Sequence, residues 1–225
     1  MSELDGLVRG SDRKLRCWWC LAGDDYRRYH DTEWGFPVAD EHRLFEKICL
    51  EGFQAGLSWL TILRKRDAFR RGFANFDYER VARFTARDVR RLLADAGIVR
   101  HRGKIESTIN NARRACDLAD AEGSLAAYFW RWVPAPHGRP RPLTKAALIG
   151  MGVPAEAKAL SRDLKARGWT FVGPTTVYSF MEAMGLVNDH LNGCAIRGEV
   201  ERARRDWRIP GPAGSGRKAA RASTD

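Results

Sequence analysis

The sequence predicts an all-α fold with one main domain. Apolar residues recur at intervals of three and four along several stretches, which is the spacing of side chains on one face of an α-helix. Residues that favour helix ends stand at the boundaries of these stretches. No two stretches show the alternation of apolar and polar residues that predicts a pair of β-strands. At 225 residues the chain is long enough to bury one sizeable core.

Each predicted helix depends on its own run of apolar residues. In chain order the runs are Leu44, Phe45, Ile48 and Cys49; Val81, Phe84, Val89, Leu92 and Leu93; Ile105, Ile109, Ala112 and Cys116; and Val177, Phe180, Met181 and Met184. Gly97 follows the 86–96 segment as a C-terminal cap would. Pro174 suits the first position of the last helix, and Gly185 suits its end. The predicted boundaries therefore agree with the apolar spacing.

The composition divides the chain into three parts. We expect residues 1–14 to form a flexible N-terminal extension and residues 15–207 to form the folded domain. Residues 208–225 are rich in Gly, Ala and Ser with basic residues and no apolar period, which predicts a disordered basic tail. Within the domain, the proline-rich segment 133–144 is predicted to be a loop between two helical stretches.

The chain carries a net charge of +11, and most of this charge falls on the predicted domain. Residues 1–14 have a net charge of 0 and residues 209–225 of +2, which leaves +9 between them. A basic folded surface with many aromatic residues suits a polyanion, because Lys and Arg release counterions from a phosphate backbone. An arginine-rich surface that contacts only solvent would give the same charge, so nucleic-acid binding is one of two alternatives at this point.

The N-terminal residues and the cysteines indicate the cellular compartment. The first residues are acidic and no apolar segment follows them, so we expect neither a secretory signal nor a membrane span. The five cysteines are an odd number at irregular positions, which favours reduced thiols or metal ligands over disulfides. Both observations predict a soluble protein of the cytoplasm.

Cysteines and histidines near both ends of the domain suggest a metal site. His190 and Cys194 stand together in the segment NDHLNGC, and an earlier segment adds Cys17, Cys20 and His30. Zinc takes four such ligands in a tetrahedron, so one of the two early cysteines could complete a structural site with the other three residues. Buried thiols and ordinary histidines are the alternative, since the two groups lie far apart in the sequence.

Glu51 occupies an unusual position on a predicted helix. It follows Leu44 by seven residues and Ile48 by three, so it points along the apolar stripe. Burying a carboxylate is costly unless it is paired, so Glu51 either bends to solvent at the helix end or reads a ligand in a pocket. Rings that could stack on a base crowd the same segments, although such rings are also ordinary core residues. They are Trp18, Trp19, Tyr26, Tyr29, Trp34 and Trp59.

Two turns before helices are candidates for phosphate binding. Gly173 lies in a short turn that leads directly into a predicted helix, and such a turn exposes backbone N–H groups to an anion. The basic segment 97–104 also precedes a helix. A plain connection between helices and a solvated charge cluster are the respective alternatives.

Five segments, taken in order, match one known family. They are YHDTEWG, FEKICLEGFQAGLSW, LLADAGIVRHRGKI, LKARGWTFVGPTTVYSFM and GLVNDHLNGC. Through them the chain strongly resembles the DNA-3-methyladenine glycosylase I family, a branch of the helix-hairpin-helix DNA glycosylases, over about residues 16–197. The resemblance implies a helix-hairpin-helix glycosylase fold in which a zinc site joins the N- and C-terminal segments.

The resemblance implies a role for each candidate residue. The family's base-reading carboxylate corresponds to Glu51, and Cys20 falls outside the metal site. The zinc ligands correspond to Cys17, His30, His190 and Cys194. The substrate pocket corresponds to Tyr29 beside the carboxylate, Trp19 and Trp59 as stacking partners, and Tyr26 and Trp34 as further lining residues. The DNA contacts correspond to Gly56 and Leu57 as a wedge in the QAGLS loop, and to Val172, Gly173 and Thr175 in the DNA-gripping hairpin.

The resemblance also implies removal of the base without cleavage of the strand. Lyase-active relatives carry a Schiff-base lysine just after the second hairpin glycine, and Thr175 holds that place here. Most relatives place a catalytic aspartate after the following helix, and the match favours Asn188, with Asp189 beside it. An N3-alkylated adenine is already a cation and leaves easily, so selective binding of the flipped base would supply much of the rate.

We therefore expect a monofunctional DNA glycosylase that flips 3-methyladenine out of alkylated double-stranded DNA and hydrolyses its N-glycosidic bond. It would hold one structural zinc ion per chain and act as a monomer in the cytoplasm, on the nucleoid, with no membrane partner. A zinc-stapled nucleic-acid-binding protein without catalysis is the alternative, distinguished by whether Glu51 lines a base-sized pocket. A zinc hydrolase is disfavoured, because no HExxH motif occurs and four protein ligands leave no open coordination position.

Overall fold

The structure, a computed structural model, describes residues 6–135 and 139–211. These residues are mostly helical, which confirms the all-α prediction. The helices are α1 (Asp24–Thr32), α2 (Glu41–Gln54), α3 (Trp59–Gly72), α4 (Tyr78–Val81), α5 (Ala86–Ala94), α6 (Arg102–Glu122), α7 (Leu125–Trp130), α8 (Lys145–Met151), α9 (Ala155–Ala166), α10 (Pro174–Ala183) and α11 (Arg197–Arg205). Of the predicted loop 133–144, the described residues contain no helix, and residues 136–138 lie outside the described part.

Polar side chains cap the two helices that flank the QAGLS loop. At the start of α2, Asp40 Oδ1 accepts a hydrogen bond from the backbone N–H of Arg43 (2.8 Å). At the start of α3, Ser58 Oγ accepts one from the backbone N–H of Thr61 (3.2 Å). Such caps satisfy N–H groups of the first turn that have no partner within the helix. The short loop between α2 and α3 therefore leads directly into a helix whose first turn is capped.

Two of the three predicted helix ends agree with the structure. Helix α10 begins at Pro174, and Gly185 follows its end with a φ of +80°, a conformation that favours glycine. The prediction for Gly97 is wrong, because α5 already ends at Ala94 and Asp95 has an extended backbone (φ −80°, ψ 105°). The Asp95 carboxylate accepts a hydrogen bond from the backbone N–H of Gly97 (2.8 Å), and this side-chain turn replaces a glycine cap.

Helix α2 is the centre of the hydrophobic core. It packs against α3, α6, α7 and α10. Leu44, Phe45, Ile48 and Phe53 of this helix are completely or almost completely buried. Burial of side chains of this size contributes about 1.5–3 kcal/mol each. Because α2 is surrounded by other helices, polar residues along it are buried together with the apolar ones.

A short β-hairpin precedes the first helix. Leu7–Arg9 (β1) pairs antiparallel with Leu15–Cys17 (β2). The prediction that the chain has no strand pair is therefore wrong, because strands of 3 residues are too short to show a clear alternation of apolar and polar positions. Within the predicted flexible extension, β1 lies in this hairpin and residues 1–5 lie outside the described residues. The domain boundary at residue 15 stays a prediction.

A second, smaller apolar cluster joins the two ends of the domain. It consists of Cys17 from β2 together with Leu191, Cys194, Ile196 and Val200. The C-terminal segment therefore returns to the N-terminal hairpin. Most of the predicted basic tail, residues 212–225, lies outside the described residues. A bilayer-spanning helix would need a longer apolar stretch than any helix in the described residues contains.

Candidate active site and metal cluster

A cavity of about 320 Å³ lies among α1, α2, α3, α8 and α10. Its volume is at the lower end of the range for small-molecule sites in proteins. The structure brings together here all six residues predicted to read or hold the base, which come from residues 19–34 and from helices α2 and α3. They are Trp19, Tyr26, Tyr29, Trp34, Glu51 and Trp59.

The aromatic rings of the cavity form two groups, and the rings within each group are in contact. The centroid of the Trp19 ring lies 4.9 Å from that of Tyr26 and 4.9 Å from that of Trp34. The centroids of Tyr29 and Trp59 lie 5.5 Å apart. The buried Nε1 of Trp59 has no hydrogen-bond partner among the described residues. The rings thus provide apolar walls on which a flat base could stack.

Glu51 is buried at this cavity, with 5% of its surface exposed. The alternative in which it bends to solvent is therefore wrong. Its carboxylate pairs with the ammonium of Lys47 one helical turn earlier, with Oε1 and Nζ 2.8 Å apart. Burial raises the pKa of Glu51, and the charge and hydrogen bond of Lys47 oppose this rise. The ion pair explains how an apolar helix face accommodates a carboxylate.

Lys47 is a residue of this site that the sequence analysis misses. Its Nζ donates a hydrogen bond to the Tyr29 hydroxyl (2.7 Å) and lies 3.1 Å from the centroid of the Trp59 ring. Burial lowers the pKa of Lys47 to about 8, and Glu51 acts in the opposite direction. The signal that could have revealed the pair is its spacing, because a Lys and a Glu four residues apart meet on one helix face.

Glu182, on α10, is a second carboxyl group at the cavity that sequence reasoning misses. Burial and the charge of Glu51 raise the pKa of Glu182 to about 8, so it is mostly protonated at neutral pH. A protonated carboxyl group can donate a hydrogen bond, whereas an ionised Glu51 can only accept them. Glu51 and Glu182 therefore offer the cavity different hydrogen-bonding properties.

Asp189 lines the cavity, and Asn188 does not. Asp189 is buried, accepts a hydrogen bond from the Tyr178 hydroxyl and pairs with Arg139. The Asn188 amide instead donates a hydrogen bond to the backbone carbonyl of Arg197 (3.2 Å). The resemblance favours Asn188 for the position that faces the sugar, but the structure turns Asn188 toward the C-terminal segment. Asn188 Oδ1 also accepts a hydrogen bond from the backbone N–H of His190 (3.2 Å), so both ends of its amide are bound to the backbone.

The four predicted zinc ligands lie together and are buried. The ligand atoms of Cys17, His30, His190 and Cys194 all lie within 4.8 Å of one another. Cys194 Sγ is 3.6 Å from His30 Nε2 and 3.5 Å from His190 Nδ1, and the two nitrogens are 3.1 Å apart. The ligand atoms of a tetrahedral zinc site with ordinary bond lengths are about 3.3 to 3.8 Å apart. The cluster could therefore hold a metal ion.

Neighbouring polar groups hold the cluster in position. His30 Nδ1 is 2.8 Å from Asp31 Oδ1, which leaves Nε2 directed at the other ligand atoms. The buried Arg16 fixes Asp31 in turn, with Nε 2.9 Å from its Oδ1, and also donates to Asp12 (2.8 Å). Cys20 is buried as well, but it is not one of the four clustered residues.

Comparison with known proteins identifies the family. A family model described as methyladenine glycosylase matches residues 19–197, which is most of the chain. The chain belongs to the methyladenine glycosylase family. This confirms the resemblance and makes the chain an enzyme that hydrolyses N-glycosidic bonds.

Relatives of this methyladenine glycosylase include two bacterial enzymes. The DNA-3-methyladenine glycosylase 1 of Escherichia coli (strain K12) is 46% identical over 180 residues, which cover 80% of this chain and 95% of the relative. The DNA-3-methyladenine glycosylase of Haemophilus influenzae is 42% identical over 185 residues, which cover 81% and 97%. A solved structure of 3-methyladenine DNA glycosylase I from Staphylococcus aureus, which describes the recognition of 3-methyladenine by that protein, aligns with this chain at a TM-score of 0.73 and 39% identity. The alignment covers 78% of this chain and 93% of that one.

The predicted DNA-gripping hairpin of this methyladenine glycosylase is the turn between α9 and α10. Val172 is buried in the turn, and its carbonyl oxygen accepts a hydrogen bond from Ser161 Oγ on α9 (2.7 Å). Gly173 has φ −61° and ψ 161°, and apart from its chain neighbours no described atom lies within 4 Å of where a Cβ would stand. Thr175 is exposed in the first turn of α10. The fold does not require glycine at position 173, and the space in front of α10 is open.

The QAGLS loop of the glycosylase is held at the end of α2. Lys104 Nζ donates hydrogen bonds to the backbone carbonyls of Phe53 (2.9 Å) and Ala55 (2.5 Å). Gly56 has a φ of +80°, a conformation that favours glycine, and Leu57 is 43% exposed. An exposed leucine on a fixed loop suits the predicted wedge, whose role stays a prediction.

Proposed function

We propose that this glycosylase removes 3-methyladenine from alkylated double-stranded DNA by hydrolysis of the N-glycosidic bond. The observation that carries the proposal is Glu51, a buried carboxylate at a cavity walled by aromatic rings. Relatives named for this activity are 42% and 46% identical to the chain. Nucleic-acid binding without catalysis is disfavoured, because Glu51 lines a cavity large enough for a purine.

Glu51 would recognise the base by hydrogen bonding and by charge. A carboxylate accepts hydrogen bonds and does not donate them, so it suits the exocyclic amino group of adenine. Alkylation at N3 makes the adenine in DNA a cation, which a carboxylate and the faces of aromatic rings attract. The rings proposed to enclose the flipped base are Trp19 and Trp59 as stacking partners, with Tyr26, Tyr29 and Trp34 around them.

The cationic base is a good leaving group, so its removal needs less help from a general base than removal of a neutral base. The bond between the sugar and the base breaks, its electron pair leaves with the base, and water takes its place on the sugar carbon. Thr175 stands where lyase-active relatives carry a lysine, and the ammonium group of Lys47 beside the cavity is paired with Glu51 and the Tyr29 hydroxyl. Both observations support hydrolysis without cleavage of the strand.

The hairpin and the QAGLS loop would hold the DNA while the base is flipped. Val172, Gly173 and Thr175 lie where backbone N–H groups at the start of α10 could bind a phosphate. Gly56 and Leu57 would fill the gap that the flipped nucleotide leaves in the duplex. The open space in front of Gly173 and the net charge of +11 support this placement.

We further propose that the cluster of two cysteines and two histidines binds one structural zinc ion per chain. Cys17, His30, His190 and Cys194 form a donor set of two thiolates and two imidazoles, which zinc prefers. Four protein ligands would close the coordination shell, so the ion would join the two ends of the domain without taking part in the reaction. The monomeric state and the cytoplasmic location stay predictions.

Identification of the released base is the direct test of the proposed function. Incubation with DNA treated with a methylating agent is expected to release 3-methyladenine, detected by chromatography, and to leave abasic sites in unbroken strands. A reaction without enzyme corrects for spontaneous loss of the base. Release of no methylated adenine would contradict the proposed substrate. Strand breaks in the absence of alkali would contradict hydrolysis alone.

Replacing Gly173 with leucine is expected to weaken binding to undamaged duplex DNA about tenfold or more, which is roughly the worth of one hydrogen bond to a charged group. The new side chain would occupy the space in front of α10 where a phosphate would approach, while the backbone angles of Gly173 suit any residue. Fluorescence anisotropy measures the affinity, which for the unaltered protein should fall linearly with the logarithm of salt concentration.

Gly198→Leu is the matched control for this variant. Gly198 lies on α11, and a Cβ there would meet only Arg202 Nη1 at 3.7 Å, so the substitution adds the same bulk away from the hairpin. Only the Gly173 variant should bind DNA less tightly, and both should bind free 3-methyladenine as before. An equal loss of DNA binding and free-base binding in Gly173→Leu would count against a separate role for the hairpin.

A further inference from the structure

We propose that Lys47 is the internal counter-ion that keeps Glu51 ionised at neutral pH, and that it is thereby a positioning residue for base recognition. This inference rests on the proposed function of the cavity. It explains why a buried, positively charged lysine lies beside a site that is proposed to bind a cationic base.

The contacts of Lys47 connect three groups that are proposed to read the base. Its Nζ lies 2.8 Å from Glu51 Oε1 and 2.7 Å from the Tyr29 hydroxyl oxygen. The same atom lies 3.1 Å from the centroid of the Trp59 ring, within the range of a cation–π contact. Only 7% of the Lys47 side chain is exposed, so water does not screen these contacts. One ammonium group therefore fixes the carboxylate, the hydroxyl and the ring together.

Glu51 needs such a partner because of where it lies. A carboxyl group removed from water tends to take up a proton, and burial raises the pKa of Glu51 accordingly. Lys47 is the group that opposes this rise. A protonated Glu51 would lose its negative charge and one of its acceptor oxygens, and with them its preference for a cationic purine.

Charged groups behind Lys47 are paired with each other. Glu33, which follows α1, binds Arg66 of α3 at 2.6 Å. Glu46 of α2 binds Arg70 of α3 at 3.0 Å. Arg66 lowers the pKa of Lys47 and Glu33 raises it, so the two act in opposite directions there. Neither arginine reaches hydrogen-bond distance of the Glu51 carboxylate among the contacts of the described residues.

The titratable groups on the cavity side cannot replace Lys47. Burial, and after it the charge of Glu51, raises the pKa values of Tyr26 and Tyr29, so both phenols are neutral at physiological pH. Glu182 on α10, with its pKa raised to about 8, is mostly neutral and carries no positive charge in either state.

The remaining charged pair at the cavity is also self-contained. Asp189, after α10, pairs with Arg139, and Asp189 also accepts a hydrogen bond from Tyr178. In the described part of the chain, Lys47 is therefore the cation in hydrogen-bond contact with Glu51. Removing the charge of Lys47 should therefore raise the pKa of Glu51, and no neighbouring group would compensate.

Two variants separate the charge of Lys47 from its packing. Lys47→Met keeps nearly the same length without charge or hydrogen bond, and Lys47→Gln keeps a hydrogen-bond donor without charge. In the full chain labelled with ¹³C at glutamate side chains, an NMR titration gives the midpoint of protonation of Glu51, whose signal is assigned by its loss in Glu51→Gln. We expect both variants to raise this midpoint by at least about one pH unit.

The pH dependence of base release is the second readout. For Lys47→Met, single-turnover release of 3-methyladenine from methylated DNA should slow as the pH is lowered from 8 to 6, by about tenfold per pH unit once the pH is well below the Glu51 midpoint of the variant, because the ionised fraction then falls tenfold per unit. The unaltered enzyme should vary much less over this range. Thermal unfolding at each pH verifies that the variants remain folded. If Lys47→Met does not fold, the same rates are measured with Lys47→Gln.

The inference and the proposed function fail in different ways. An unshifted Glu51 midpoint in both variants would overturn the counter-ion role. So would a loss of activity by the same factor at every pH, which indicates packing alone. If the unaltered enzyme releases no 3-methyladenine, the proposed function fails, and the NMR titration still decides whether Lys47 sets the ionisation of Glu51.

Discussion

Replacing Cys194 with serine is expected to abolish tight zinc binding and to lower the midpoint of thermal unfolding by about 10 °C or more. Cys194 Sγ lies 3.6 Å from His30 Nε2 and 3.5 Å from His190 Nδ1, so its loss removes one corner of the cluster. Loss of a structural zinc site costs several kcal/mol of folding free energy, and in a domain of this size each kcal/mol corresponds to about 2–4 °C. Elemental analysis and calorimetry measure the two effects.

Cys20→Ser is the matched control for this experiment. Cys20 is buried like Cys194 but does not belong to the cluster, so its replacement should leave one zinc ion per chain. Cys17→Ser should behave like Cys194→Ser, and removal of zinc from the unaltered protein by a chelator should lower its unfolding midpoint to a similar value. Absence of zinc from the unaltered protein would contradict the assignment. So would loss of zinc in Cys20→Ser but not in Cys17→Ser.

Replacing Glu51 with glutamine is expected to slow the single-turnover release of 3-methyladenine about 10- to 100-fold at neutral pH, the usual worth of a hydrogen bond to a charged group. The amide keeps the shape of the side chain and one acceptor oxygen, but it loses the negative charge that favours a cationic base. The measurement uses methylated DNA with enzyme in excess, together with thermal unfolding of each variant.

Glu51→Gln also breaks the ion pair with Lys47, and a double variant that removes both charges controls for this effect. Glu51→Gln leaves the Lys47 ammonium buried without a counter-charge, and breaking a buried pair in this way commonly costs about 3–5 kcal/mol. In the double variant Glu51→Gln with Lys47→Met neither charge remains, so stability should recover while base release stays slow. Wild-type release by the Gln variant at unchanged stability would refute the recognition role. Loss of stability in the double variant as well would indicate a structural carboxylate.

The apolar runs predict several helices that bury one regular face, but they miss α9, which buries Ala157, Leu160 and Leu164 at that spacing, and they miss helices without such a face. Helices α2, α6 and α10 follow the predicted runs closely. Helix α3 is missed, because Arg66 and Arg70 on it pair with acidic partners where a run of apolar residues would be expected. Helix α11 is missed as well, since Val200 is its one buried residue. Charge pairing and terminal packing depend on the neighbours of a helix, which its own sequence does not specify.

The candidate site divides in the same way. Glu51 and the aromatic rings could be predicted, because one carboxylate on an apolar stripe is visible within a helix and the family segments place the rings near it. Lys47 is visible only as a lysine four residues before Glu51, and Asp189 only as the neighbour of Asn188. Glu182 could not be predicted, because a carboxylate on a helix usually reaches solvent and this one lies at the cavity only where elements from other parts of the chain surround it.

The spacing of the metal ligands has a consequence for synthesis of the protein on the ribosome. His30 and His190 are 160 residues apart, and Cys194 comes later still. At roughly 5–20 residues per second, the early ligands would emerge roughly 10 to 30 s before the last ones. During that interval the nascent chain would expose the Cys17 thiol without its metal partners. Tight metal binding at the proposed site would therefore wait until His190 and Cys194 had been synthesised, and without zinc the two ends of the domain would lack this connection.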